Sequence, residues 1–357
     1  MSLHGAIRLH MAHFIPVFLP SIVFGLMPCS PNPYASKVLL AYSILLHVAY
    51  RCTYVWVLLL YIRQYPDMDL PLITLLCTVC LFKASCSFSH LFGMIKERQK
   101  FVTLVQSCFK DDFTRNRFSF LTVVGMFLWP VPLLVRLTAT GLRWVNVLYA
   151  IGGIFDIVCV FIIAMQYCTL LEISTKRFTA AKFTLFMQVC KLEKATDIHQ
   201  DILNFTMMIH SIYGRTILVE VCYLGFDFIV AFYDSLQSIR LHGQYVWGVC
   251  TFFYSIGCLT SIYIVCNACE RVKRKAEKFN SELFRLMREN KELCKNEKLQ
   301  LYVTMKQTVN FTACGFFTLG YPLVTSIIAA ATTYLVILVQ FRFIEFGVLD
   351  SYYLLEL

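Results

Sequence analysis

Charge is what this chain lacks. Asp, Glu, Lys and Arg make up 15% of its 357 residues, 58% are apolar, and the mean hydropathy is +0.64. Soluble domains are less apolar and carry about 25% charged residues, so this composition excludes an ordinary soluble domain and defines a polytopic membrane protein. Enzyme signatures are missing too. There is no HExxH, GxSxG, Walker loop or GxGxxG, and the chain reads as a non-enzyme without a cofactor. No cleavable secretory signal opens it. Residues 1–37 hold scattered histidines, an early Arg8, and an apolar run interrupted by Pro16, Pro20 and Pro28. From Phe14 to Met27 that run is short for a crossing and reads as an interfacial or packed helix. Cysteine is plentiful at sixteen, yet the connections expected outside hold none. That argues against a disulfide framework and for small buried thiols. Cys77-x2-Cys80 and Cys266-x2-Cys269 have metal-like spacing, but neither has a second pair and both fall at or within spans, so no metal site is assigned.

What charge there is lies in a pattern. Seven apolar stretches read as membrane helices: Val38–Ile62, Leu70–Ile95, Phe118–Thr140, Trp144–Ile173, Ser211–Leu236, Gln244–Ala268 and Tyr321–Phe341. The fold class is therefore an all-α membrane protein. Connections 94–117, 173–206 and 269–307 carry 22 Lys and Arg, against 5 in the alternate connections and the tail. The positive-inside rule puts the first set in the cytosol, with the amino terminus inside and the carboxyl terminus outside. The net charge of +10 follows the loops of a membrane topology, which argues against a nucleic-acid partner and leaves membrane lipid as the surround of the spans. Residues 269–307 mix eleven Lys/Arg with six Glu, in opposite-sign pairs four apart such as Glu270–Arg274 and Arg285–Glu289. That is the signature of a solvated helix continuing out of the membrane. A turn near 290–296 is expected next. A returning helix from Glu297 then runs into Phe311–Phe317 and breaks at Gly315–Gly320.

Seven ionisable residues fall inside spans: Arg51, Lys83, Asp156, Arg215, Glu220, Asp227 and Asp234. Each must pair or line a watery cavity. Trp129, Tyr233, Asp234, Trp247 and Tyr254 sit at similar depth near the outer ends of spans three, five and six. They read either as an aromatic pocket open to the outside or as an interfacial aromatic belt. With Asp156 they are the candidate ligand-binding residues.

The last span has 21 residues without charge, closed by Arg342. Its length is roughly 31 Å, one hydrocarbon thickness. Helical steps put Ser326, Ala330, Thr333, Ile337 and Gln340 on one face, with Phe341 beside it. Such a face suits a packing seam or the wall of a pore, and the residues alone leave both open.

At Thr333-Tyr334-Leu335-Val336-Ile337-Leu338-Val339-Gln340-Phe341 the chain resembles the insect gustatory receptor family, whose signature is Thr-Tyr, five hydrophobic residues, then Gln-Phe. The inverted seven-span layout, the Phe24-Gly25-Leu26-Met27-Pro28 stretch and the long charged connection extend the resemblance over the chain. It implies a ligand-gated, non-selective cation channel in the plasma membrane, related to insect odorant receptors. Such a channel assembles as a homotetramer or as a heterotetramer with related receptors. In these terms 1–37 is a cytosolic segment, 38–268 holds helices one to six and the ligand site, and 269–320 forms the cytosolic anchor. Residues 321–341 line the pore and 342–357 form an extracellular tail. Ile337 and Phe341 become the hydrophobic gate, Gln340 the polar ring beside it, and Thr333 and Ala330 pore wall. Permeant cations and a small-molecule tastant are the implied partners. Sugar-sensing members usually have Glu where Leu335 stands, so the resemblance favours a bitter or other plant compound. Two other classes stay open: a secondary transporter built on the intramembrane charges, and a G-protein-coupled receptor of opposite orientation.

Overall fold

In hydrocarbon a backbone has no water to bond, so long apolar runs must satisfy their own N–H and C=O groups, which the α-helix does. A computed structural model of the chain describes residues 19–27, 33–64, 70–108, 124–126, 128–140, 143–187, 192–241, 245–289, 295–305 and 308–355. Its helices are α1 (Pro33–Gln64), α2 (Leu70–Lys96), α3 (Arg98–Cys108), α4 (Val131–Thr140), α5 (Trp144–Met187), α6 (Leu192–Leu241), α7 (Tyr245–Glu289), α8 (Glu297–Thr304) and α9 (Tyr321–Leu355). Two short antiparallel strands, β1 (Thr312–Ala313) and β2 (Phe317–Thr318), precede α9. Among the described residues, five helices are long and apolar enough to cross a membrane. They correspond to spans one, two, four, five and six, and make this a multi-pass membrane protein. The third and seventh expected spans correspond to shorter apolar pieces, Val124–Val135 and Tyr321–Ile337. Much of span three lies outside the described residues.

Three helices overrun their expected ends. α5, α6 and α7 have 44, 50 and 45 residues. At about 1.5 Å per residue each reaches roughly 66–75 Å, more than twice the hydrocarbon thickness. The overrun of α7 has a plain cause. Beyond the apolar span, Cys269, Val272, Ala276, Phe279, Leu283 and Met287 recur every three or four residues, and all are buried. They meet Phe178 of α5, Ile202 and Leu203 of α6 and Leu299 of α8 in one core. Charged residues cover the other side. The Glu270–Arg274 and Arg285–Glu289 pairs form at 3.3 Å. Glu282 instead reaches Arg285 at 3.0 Å and crosses to Lys182 of α5 at 3.1 Å.

The returning segment differs from expectation. α8 ends at Thr304, and 312–318 form a hairpin rather than helix, with Thr312 opposite Thr318 and Ala313 opposite Phe317. Cys314 (φ 50) and Gly315 (φ 82) turn the chain in the left-handed region that matches the twist of a tight hairpin. Buried Phe311 and Ala313 fix it to the core, and the Leu319 N–H donates to the Phe311 carbonyl at 2.8 Å. The turn expected near 290–296 falls mostly outside the described residues. α9 does not stop at Arg342 but runs on to Leu355. Arginine is a good helix former, and a charge at a membrane edge does not end a helix.

Of the proline-rich lead-in, 14–18 lie outside the described residues and 19–27 are packed against the protein. A helical turn at 19–23 ends at Gly25 (φ 66), with Leu26 N–H bonded to Ser21 O at 2.7 Å and Gly25 N–H to Ile22 O at 3.0 Å. This is a Schellman cap. Leu26 and Ser21 are fully buried.

α6 and α7 form the tightest pair. Ser235 Oγ donates to the Gly248 carbonyl at 2.6 Å, and a Cβ on Gly248 would stand 2.3 Å from Ile239 Cγ1. Gly248→Ala is therefore expected to cost about 1–3 kcal/mol by overpacking. Thermal melts in detergent test this, and an unchanged melting temperature would show that the hairpin yields there.

Candidate functional site

The intramembrane charges organise the site. Arg51 of α1 pairs with Asp156 of α5 at 2.6 Å, with side chains 10% and 1% exposed. The same guanidinium donates to the Lys83 carbonyl at 3.2 Å and to Ser87 Oγ at 3.1 Å on α2. One residue thus ties three helices together. Lys83 is buried and stands in the field of Asp156 and Asp227. Asp227 of α6 accepts at one oxygen from Tyr223 at 3.1 Å, from Tyr254 of α7, and from Cys258 at 3.8 Å. Asp234, two turns further along α6, accepts from Trp247 Nε1 at 3.0 Å. Glu220 is different. It is 2% exposed, and neither carboxyl oxygen has a hydrogen-bond partner among the described residues.

Rings form the second layer. Tyr61 stacks on Tyr149 at 4.8 Å, Tyr149 on Tyr54 at 5.7 Å, and Tyr54 on Tyr50 at 5.9 Å. The ladder continues through Phe155 to Phe24. α1 and α5 come this close because residue 152 is glycine. Its carbonyl accepts from Tyr50 at 2.6 Å, and a Cβ there would meet the Tyr54 ring at 2.4 Å.

Between these layers lies a cavity of about 260 Å³. Tyr54 and Tyr61 (α1), Lys83 (α2), Asn146 and Tyr149 (α5), Asp227, Tyr233 and Asp234 (α6), and Trp247 and Tyr254 (α7) contribute to its wall. Leu133 and Leu137 of α4 add apolar surface. Four of the six candidates from the sequence meet here: Tyr233, Asp234, Trp247 and Tyr254. The other two do not. Asp156 is turned to Arg51 and off the wall, because an unmatched carboxylate in hydrocarbon costs more than any ligand contact returns. Trp129 packs edge-to-face on Phe161 at 5.2 Å and against Gly257, because the turn into Pro130 aims its indole at α5 and α7. Tyr54, Tyr61 and Tyr149 were missed. Each is a single ring in an apolar run on a different part of the chain, and no local pattern joins them.

The opposite ends of α6 and α7 meet at a histidine. His199 stacks on Phe279 at 4.1 Å and is hydrogen-bonded to Tyr302 of α8, whose phenol burial pushes above its usual range.

α9 uses one face only. Val324, Ala331 and Leu335 are buried, with Leu323 and Ile327 packed beside them. Tyr321 anchors its start by donating to Asn267 at 2.9 Å and stacking on Tyr263 at 6.0 Å. Ser326, Ala330, Thr333, Ile337 and Gln340, the expected pore-facing set, are all exposed. The Phe341 side chain lies outside the described residues. No group of three or more His, Cys, Asp or Glu among the described residues is placed to hold a metal ion.

A multi-pass helical protein with a small ring-lined cavity among its helices can hold a small ligand within the membrane. A model of the 7tm chemosensory receptor family matches residues 14–345, and the chain belongs to that family. Gustatory receptor 68a of Drosophila melanogaster is 32% identical over 85 residues, a match that covers 24% of this chain and 22% of that receptor. The fold resembles the insect olfactory receptor OR5 of Machilis hrabei, with a TM-score of 0.61, 16% identity, and 91% and 99% of the two chains covered. The same receptor in complex with eugenol gives a TM-score of 0.66 at 16% identity, covering 94% and 99%.

Removing one member of a buried ion pair leaves the other unmatched. Asp156→Ala is expected to destabilise by about 3–5 kcal/mol, whereas Arg51→Met with Asp156→Leu recovers most of that loss. Melting temperatures of purified variants decide it, and a double variant as unstable as the single would show that the pair is not what matters.

Proposed function

We propose that this chain is a gustatory receptor acting as a ligand-gated, non-selective cation channel in the plasma membrane. It works as a homotetramer or as a heterotetramer with related receptors. The observation that carries this reading is the bare face of α9. That face is rich in small and hydroxyl residues, and the chain itself does not cover it. Its hydroxyls are already bonded within the helix, Ser326 to the Pro322 carbonyl at 2.9 Å and Thr333 to the Ala329 carbonyl at 3.0 Å. With their protons so placed, these hydroxyls keep oxygen lone pairs free toward a water-filled path. Four such faces around an axis make a pore, with Thr333 and Ala330 in its wall and Ile337 and Phe341 as a constriction that gates by dewetting. Gln340 amides help rehydrate the ion.

In this reading the amino terminus and 269–320 are cytosolic, residues 38–268 carry the ligand site, and 342–357 reach the outside. The cavity takes the tastant, a bitter or other plant compound rather than a typical sugar, since Leu335 stands where sugar-sensing members usually have Glu. Ligand shifts the equilibrium only by binding the open state better than the closed one. α6 and α7 touch both the cavity and α9, and Val324 and Ala331 share a cluster with Tyr223 and Cys258, which supports a short path between them. The transporter and G-protein-coupled readings gain no support: no inverted repeat is present, and the charge bias puts the amino terminus inside.

In a heterologous cell, Ile337→Ala is expected to raise resting current, and Gln340→Ala to change conductance or ion selectivity. Patch clamp with surface labelling tests this. If both variants reach the surface and conduct like wild type, the gate lies elsewhere.

A further inference from the structure

The charges around the cavity do not balance. Among the described side chains, two cations, Arg51 and Lys83, meet three carboxylates, Asp156, Asp227 and Asp234. Arg51 is consumed by Asp156 at 2.6 Å. Lys83 lies in the field of Asp156 and Asp227, and Asp227 also holds three neutral donors. Asp234 is left over. Its one hydrogen-bond donor is the neutral Trp247 indole at 3.0 Å, and no cation among the described residues pairs with it. It lies on the cavity wall beside Tyr233 and Trp247, with the Tyr61–Tyr149 stack also on the wall. Ring faces carry the negative end of a quadrupole and attract cations, most strongly where water is excluded.

A surplus carboxylate in a ring-lined chamber is a cation receptor. At about 260 Å³ the chamber is small beside typical ligand pockets of about 300–1,000 Å³, so the ligand is compact. An anion fits poorly, since among the described residues the wall holds one cation, Lys83, and two carboxylates, Asp227 and Asp234. We infer that the cavity receives a compact aromatic amine, its protonated nitrogen on Asp234 and its ring among the tyrosines. This rests on the reading of the cavity as the ligand site.

Three probes of one shape separate the possibilities: phenethylamine (a cation at neutral pH), 2-phenylethanol (neutral) and phenylacetate (an anion). Each is titrated against the purified full-length chain, with thermal stabilisation as the readout. Phenethylamine is expected to bind at least about ten-fold more tightly than the other two, a difference of about 1.4 kcal/mol. Asp234→Asn keeps an acceptor for Trp247 but loses the charge, and is expected to erase that preference. Asp234→Glu is expected to retain it, and the melting temperature without probe reports folding of each variant. Phenethylamine that binds no better than the alcohol, or not at all, overturns the amine assignment. Leu137→Trp, which fills the chamber from α4, tests the site itself. If the alcohol binds as tightly as the amine and this variant abolishes both, the amine class falls while the cavity stands. Binding indifferent to Leu137→Trp removes the cavity as the ligand site.

Discussion

A charge in hydrocarbon is costly unless it is matched within the protein, and that cost shapes how the central helices of this molecule meet. Inserting Arg, Lys or Asp at the centre of a span costs about 2.5–3.5 kcal/mol each, so a sequence that keeps them must pack helices until they meet. Arg51 meets Asp156 and reaches Ser87, which brings α1, α2 and α5 together. Lys83 and Asp227 extend the arrangement to α6, and Tyr254 brings in α7. Apolar side chains cannot specify such an arrangement, because lipid tails satisfy them as well as neighbours do. The cavity opens beside this network, where matching is incomplete.

The long helices give that chamber its mechanical context. α6 runs from Asp234 beside the cavity to His199 beside Tyr302, and α7 runs from Trp247 to Phe279 in the same base. Both are continuous helices, and the base is close-packed around Phe178, Phe279 and Leu283. Close-packed interiors move as bodies rather than deform gradually. Two continuous helices therefore link the cavity to this base, and α7 also holds the start of α9 through Asn267 and Tyr321.

The sequence made some of this legible and hid the rest for physical reasons. Five of the seven expected spans were readable because hydropathy is a property of whole segments. Intramembrane charges were readable as a group because each is costly, but their partners were not. Depth along a helix says nothing about the face a side chain occupies, which is why Asp156 and Trp129 were drawn into the pocket with Tyr233 and Trp247. The tyrosine stack was invisible because Tyr54, Tyr61 and Tyr149 come from two helices separated by some ninety residues. The overrun of α7 was half visible. Its charge pairs were plain, whereas the buried Val272–Ala276–Phe279–Leu283 stripe lies beneath them. The hairpin gave no alternating pattern, since its strands are two residues each.

The two readings of the last helix separate once its exposed face is compared with another on the same molecule. α1 presents Val38, Ile44, Leu45, Val48, Val55, Trp56 and Leu59 outward, large side chains of the kind that lipid tails accept. The outward face of α9 over its first three turns is mostly small or hydroxyl, with Thr325, Ser326, Ala329, Ala330, Thr332 and Thr333 around a single large side chain, Ile328. A lipid-facing surface gains nothing from small and hydroxyl residues, whereas a surface meeting another helix closely, or water, does. Beyond Ile328, bulk collects from Tyr334 onward with Val336 and Ile337, so the face changes from mostly small to mostly large along one helix. A packing seam between helices has no need of that gradient. A conduit that is wide at one end and closed at the other does, and this asymmetry favours the pore reading of α9 over the seam.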